Sequence, residues 1–194
     1  MKTTKMKKIC FFLCTLMYSS LHAYDFEKKG IYYNIKGEEA VVTYRDTKVF
    51  TLENANETFR LTIPKSIKYN KTEYLVTEIG NNAFAAELRL TSVTIPNTIV
   101  FIDRYAFRNC SALSSIKIPN SVRNIGQGAF ERCNGLRSII MPENVTEIAC
   151  ELFSGCDHLK AVTIPKGTVR IGENAFSGCV ALKRYIAMLW NRQC

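Results

Sequence analysis

The sequence predicts a repeat solenoid, with short parallel strands on one face and irregular turns or short helical pieces on the other. Three observations lead there. The pairs Ala83-Phe84, Ala106-Phe107, Ala129-Phe130, Leu152-Phe153 and Ala175-Phe176 recur at an interval of 23 residues without a slip. Ile95-Pro96, Ile118-Pro119, Met141-Pro142 and Ile164-Pro165 keep that interval, as do Leu90, Leu113, Leu136, Leu159 and Leu182, and Ile79, Ile102, Ile125, Ile148 and Ile171. Periods of this length belong to stacked architectures, in which no single unit can bury its apolar side chains alone. The third observation is composition: 47% hydrophobic and 22% charged residues over 194 positions exclude a disordered or collagen-like chain.

Taken in chain order, the first element is an export segment. Lys5, Lys7 and Lys8 precede an apolar stretch from Ile9 to Tyr18, and Ala23 offers the small residue needed at a cleavage site. These are the three parts of a secretory signal peptide over residues 1–23. The stretch is too short for a membrane span, which needs about 20 apolar residues. Leu13 before Cys14 and Ile9 before Cys10 are not the small residues that precede a lipid-modified cysteine. Cleavage would leave 171 residues with 22 basic against 17 acidic side chains, a mildly basic chain. That length suits one domain and is short for a two-domain enzyme of ordinary size.

Within one unit, Leu113 to Gly135, the opening Leu113, Ile116 and Ile118 fit the L-x-x-L-x-L stem of a leucine-rich repeat. Ile116 and Ile118 share one face of a short strand, and Pro119 ends it, having no N–H to give to a ladder. Val122, Ile125, Ala129 and Phe130 return to the interior at spacings of three or four, and Cys133 closes the coil. The solenoid is expected over residues 79–186, in about five such units.

The run of Leu, Ile, Ile-Pro, Val, Ile-Gly, Ala-Phe and Cys from Leu113 to Cys133 resembles the 23-residue leucine-rich repeat of BspA-like surface proteins. The resemblance covers about residues 26–186, and Gly30-Ile31-Tyr32-Tyr33, Ala40 to Tyr44, and Thr62 to Gly80 are similar to the β-rich lead-in of that family. Residues 24–78 are expected to form a β-rich N-terminal cap. The interval from Pro64 to Ile79 is 15 residues where Pro96 to Ile102 is six. The excess, around Tyr69-Asn70-Lys71-Thr72, is read as a hairpin covering the open end, since an uncovered edge invites aggregation. At the other end Leu182 leads only to Tyr185-Ile186 and a short tail, 187–194, containing Met188, Leu189 and Trp190. That tail is a self-made cap, a contact between chains, or the remnant of a shortened gene. The sequons at Asn56, Asn70, Asn109 and Asn144 are read as chance, since the family is largely bacterial.

Enzymatic chemistry is thin. His158 is the only histidine after residue 23, so no two-histidine metal site can form, and no phosphate-cradling glycine motif is present. Neither a cofactor nor a metal is expected. Cys156 with His158 could suggest a thiol nucleophile, but Cys156 shares its repeat position with Cys110, Cys133 and Cys179, a structural slot. Export permits oxidation of these thiols. Equivalent side chains on stacked coils point the same way, however, so their β-carbons stay about 4.8 Å apart when a disulfide wants roughly 3.5 to 4.5 Å. Buried free thiols are the expectation. Cys150 lies off the ladder, and Cys194 is the one suspected of pairing between chains.

The outward strand positions are Ser92 and Thr94, Ser115 and Lys117, Ser138 and Ile140, and Ala161 and Thr163. Beside them the slot after the leading leucine reads Thr91, Ser114, Arg137, Lys160 and Lys183. The candidate binding residues are therefore Ser115, Lys117, Arg137, Ser138, Ile140, Lys160, Thr163 and Lys183. The aromatic interleaving of a nucleic-acid groove is missing from this face. An extracellular protein or an acidic glycan is the expected partner, met in a secreted or cell-surface location. The family resemblance implies adhesion or host interaction. An alternative is a structural module that self-associates through its bare C-terminal coil, and a hydrolase fragment is disfavoured by the missing chemistry.

Overall fold

The computed structural model describes residues 24–43 and 58–187. Residues 1–23, where the sequence suggests an export signal, and Met188, Leu189, Trp190 and Cys194, lie outside the described residues. Among the described residues there are strands and turns and no helix, and none long and apolar enough to cross a membrane.

The chain opens with three antiparallel strands, β1 (Phe26–Lys28), β2 (Ile31–Lys36) and β3 (Glu39–Thr43). Then follow β4 (Phe59–Thr62), β5 (Ser66–Tyr69) and β6 (Thr72–Ile79). Four later coils each contribute a first strand and a two-residue second strand, and a fifth first strand follows them. The first strands are β7 (Leu90–Thr94), β9 (Ser115–Lys117), β11 (Ser138–Ile140), β13 (Ala161–Ile164) and β15 (Arg184–Ala187). The second are β8 (Phe101–Ile102), β10 (Asn124–Ile125), β12 (Glu147–Ile148) and β14 (Arg170–Ile171). Pairing from coil to coil is parallel throughout.

The return limb consists of turns, one of the two forms expected for it, with a second parallel ladder inside it that the sequence reading did not foresee. Two residues per coil, such as exposed Asn124 and buried Ile125, are too few to show a period of two. The hairpin at Asn70-Lys71 is present, with both residues at positive φ, 47° and 68°, and β5 antiparallel to β6. Its place differs from the expectation. β5 lies on the same side of β6 as β8, whereas β3 pairs along the outer edge from Leu75 to Ile79. The strand covering this end is thus β3: Ala40 and Val42 are fully buried against the first coil, and Val42 accepts the Gly80 N–H at 2.8 Å.

The core is a column of equivalent side chains. Leu90, Leu113, Leu136 and Leu159 are fully buried, as are Phe107, Phe130 and Phe153. Phe84, Phe107, Phe130, Phe153 and Phe176 stack with ring centroids 5.3, 5.5, 5.8 and 5.6 Å apart. Each large aliphatic or aromatic side chain buried this way contributes roughly 1.5 to 3 kcal/mol. The inward set read from one unit is correct: Val122, Ile125, Ala129, Phe130 and Cys133 are all buried. Beside the rings, each ladder thiol donates to a phenylalanine carbonyl of the preceding coil at 3.1 Å: Cys110 to Phe84, Cys133 to Phe107, Cys156 to Phe130 and Cys179 to Phe153. All four are free thiols, and sulfur here stitches coils together as a donor.

One junction is different. The first-strand ladder runs β4-β7-β9 and resumes as β11-β13-β15, while the second runs through β8-β10 and resumes as β12-β14. Both part between the Leu113 coil and the Leu136 coil. The turn limb remains bonded there, with Gly128, Phe130 and Arg132 N–H donating to Cys150, Leu152 and Ser154 carbonyls at 3.0, 3.0 and 2.7 Å. A contributing cause is visible in the glycines. A Cβ on Gly126 would come within 2.6 Å of the Arg104 nitrogen, and one on Gly172 within 2.4 Å of the Cys150 nitrogen, closer than real Cβ contacts. The equivalent residue of the Leu136 coil is Ala149, which carries that carbon. Asp103 carries one too and keeps its bond to Ile79, at 2.8 Å, so the alanine acts together with its neighbours.

Candidate functional site

The outward positions of the first strands emerge on one face because a strand places alternate side chains on opposite sides. Val93, Ile139 and Val162 point into the core, and Ser115, Lys117, Ser138 and Ile140 are exposed. Ser92 stands opposite Ser115, Thr94 opposite Lys117, Ser138 opposite Ala161, and Ile140 opposite Thr163. Ile140 is 71% exposed, a large apolar side chain in the middle of a polar face.

The cationic slot is formed by backbone. Lys160 N–H donates to the Arg137 carbonyl at 2.8 Å, and Arg184 is in register with Ala161, so Lys183 follows Lys160 on the next coil. Arg137, Lys160 and Lys183 are all exposed, and none forms an ion pair among the described residues. The parted seam divides the eight candidates. Arg137, Ser138, Ile140, Lys160, Thr163 and Lys183 belong to the β11-β13-β15 part, and Ser115 and Lys117 to β9 across the gap.

Cys156 and His158 do not form a catalytic pair. The Cys156 thiol is fully buried and donates to Phe130, while exposed His158 engages the Asn134 carbonyl through Nδ1 at 2.9 Å. Burial pushes the Cys110 and Cys156 thiols up to about 12, against an ordinary value of 9.0, and drives Cys133 up as well. These thiols are the reverse of activated nucleophiles, which need a lowered pKa.

The coil just described, with its Ile-Pro strand, paired ladders and Ala-Phe turn, is matched over residues 77–188 by the family described as BspA type leucine rich repeat region, in six copies. The chain belongs to this family. Among solved structures, the BspA-type chain is similar to a leucine rich cell surface protein from Faecalibacterium prausnitzii, at 25% identity and a TM-score of 0.52, covering 82% of this chain and 53% of that one. It thus spans about half the length of that relative. The T. pallidum leucine rich repeat protein superposes with a TM-score of 0.56 at 20% identity, covering 81% of this chain and 90% of that one. A leucine-rich repeat protein from Bacteroides capillosus gives 0.54 at 24% identity, over 76% and 96%. The last two likenesses concern the fold alone. No curated protein matches the chain. BspA-type repeats build a solenoid, a class of architecture whose stacked units present extended surfaces.

Proposed function

We propose that this BspA-type chain is a secreted or cell-surface binding module that engages an extracellular protein or acidic glycan through its first-strand face, in an adhesive or host-interaction role. The observation carrying this reading is the column of Arg137, Lys160 and Lys183 on adjoining coils, exposed and outside every ion pair of the described residues. Like charges in register across strands cost stability, and an extended acidic ligand offsets that cost by meeting each cation in turn. Ser138 and Thr163 supply hydroxyls beside the column, Ile140 an apolar contact, and Ser115 and Lys117 extend the surface across the seam.

The test is Arg137→Ser, Lys160→Ser and Lys183→Ser combined, Ser being the residue that the same slot holds at 114. Binding to a sulfated glycan or an acidic matrix protein is expected to fall, and what remains should depend less on salt, because exposed charge pairs are screened. Unfolding should be little changed. Equal binding by parent and variant at low ionic strength would reduce the column to solvated charge.

A second reading, self-association through the C-terminal coil, is favoured by a different observation. Val169 and Val180 are 74% and 83% exposed, Ile171 is 42% exposed, and β14 pairs only with β12 among the described residues. An open strand edge beside apolar side chains is a template for another chain. Sedimentation of the full chain should then show a concentration-dependent dimer that Ile171→Lys and Val180→Lys together abolish. A monomer at all concentrations removes this reading.

A further inference from the structure

The parted seam is more than a gap in a ladder. On the second-strand side it opens a groove of about 580 Å3, whose walls include Arg104 and Arg123 on one side and Thr146, Glu147, Cys150 and Arg170 on the other. That volume lies within the roughly 300 to 1,000 Å3 of ordinary ligand sites.

Two sets of groups in it await a partner. The first is backbone. At every other seam the residue two before the isoleucine of the second strand and the residue after it donate to the coil before: Arg123 to Val100 at 3.0 Å, Val169 to Thr146 at 2.8 Å, Gly126 to Ile102 at 2.8 Å and Gly172 to Ile148 at 2.7 Å. Here the corresponding donors, Thr146 and Ala149 N–H, have no protein acceptor among the described residues, and the Arg123 and Ile125 carbonyls do not receive those bonds. The second set is charge. Arg170 is held by Glu147 at 2.7 Å, and the Asp103 carboxylate already accepts the Arg104 N–H at 2.7 Å. Exposed Arg104 and Arg123, from successive coils, have guanidiniums in no ion pair among the described residues.

We propose that the groove between the Leu113 and Leu136 coils binds an extended acidic peptide segment. Its carboxylates meet Arg104 and Arg123, whose planar forks match a carboxylate bidentately. Its backbone carries donors and acceptors at strand spacing, the combination that unpaired backbone on both walls can use, as in strand addition to an open edge. This site lies on the other ladder from the column of Arg137, Lys160 and Lys183, and its success or failure is read at different residues.

The experiment uses the full chain and a labelled peptide of four glutamates flanked by glycines, with the glutamine counterpart as control. Fluorescence anisotropy should show binding of the glutamate peptide alone, weakened about tenfold or more in Arg104→Gln/Arg123→Gln, the loss expected when charge-assisted hydrogen bonds are removed. Amide exchange supplies a second readout that requires no variant. In the free chain Thr146 and Ala149 should exchange faster than Val169 and Gly172, and the glutamate peptide should slow them. Equal binding of the two peptides overturns the proposal. So does undiminished affinity in the double variant, or protection of Thr146 and Ala149 by a sulfated oligosaccharide and not by the peptide.

Discussion

Replacing Phe130 by alanine should cost about 3 to 5 kcal/mol, and Phe153→Ala about the same, because a fully buried ring loses both its transfer free energy and the contacts around the cavity it leaves. Neither ring is exposed, and each touches a ring above and a ring below, at 5.5 and 5.8 Å for Phe130 and 5.8 and 5.6 Å for Phe153. In a stacked protein the interface between neighbours is a large share of each unit's stability. One truncated ring therefore weakens two interfaces. Urea unfolding followed by circular dichroism measures the loss, and a value below about 1 kcal/mol for both variants would be incompatible with the packing described.

The second large effect is alkaline destabilisation. Cys110 and Cys156 have folded-state values raised by burial to about 12 from 9.0. A thiol that resists ionisation in the folded chain and ionises freely in the unfolded one favours unfolding as pH climbs. Their stabilising contribution is thus complete below pH 9 and drains away between 9 and 12, at roughly 1.4 kcal/mol per thiol for each pH unit. Buried Tyr33, raised by the same cause from 10.0 to about 12, acts in the same direction at the upper end. Denaturant midpoints at pH 7, 9 and 11 should fall steeply for the parent chain and less steeply for Cys110→Ala/Cys156→Ala, which keeps Tyr33. Identical slopes would mean that these thiols ionise without resistance in the fold.

Much of this architecture is legible from spacing. Leu113, Ile118, Val122, Ile125 and Phe130 are buried where the interval places them, because each coil repeats one local geometry and self-similarity multiplies a weak signal. The site residues were legible as a face: Ser115, Lys117, Ser138 and Ile140 do emerge outward. Their division by the parted seam was not, since it depends on contacts between coils. The hairpin at Asn70-Lys71 shows the same limit. Local turn chemistry announces the turn, but which edge of β6 it occupies is settled by β3, which is distant in sequence. Arg104 and Arg123 were missed for a related reason. They sit on a ladder of two-residue strands with too little alternation to mark an outward face, and the one available signal was the alanine at 149 between glycines at 126 and 172.

The bonded turn limb at the parted junction also gives the stack a mechanical spine. Pulled along its axis, a chain held at both ends would concentrate load on the three backbone bonds joining Gly128, Phe130 and Arg132 to Cys150, Leu152 and Ser154, with side-chain bonds such as Cys156 to Phe130, His158 to Asn134 and Asn144 to Asn120 as the remaining ties. The neighbouring junctions share the same tension among their ladders as well. The rings stand farthest apart here too, 5.8 Å between Phe130 and Phe153. The chain would therefore hinge open like a book at this place and lengthen in one step, leaving the coils on either side folded and ready to close when the force is released.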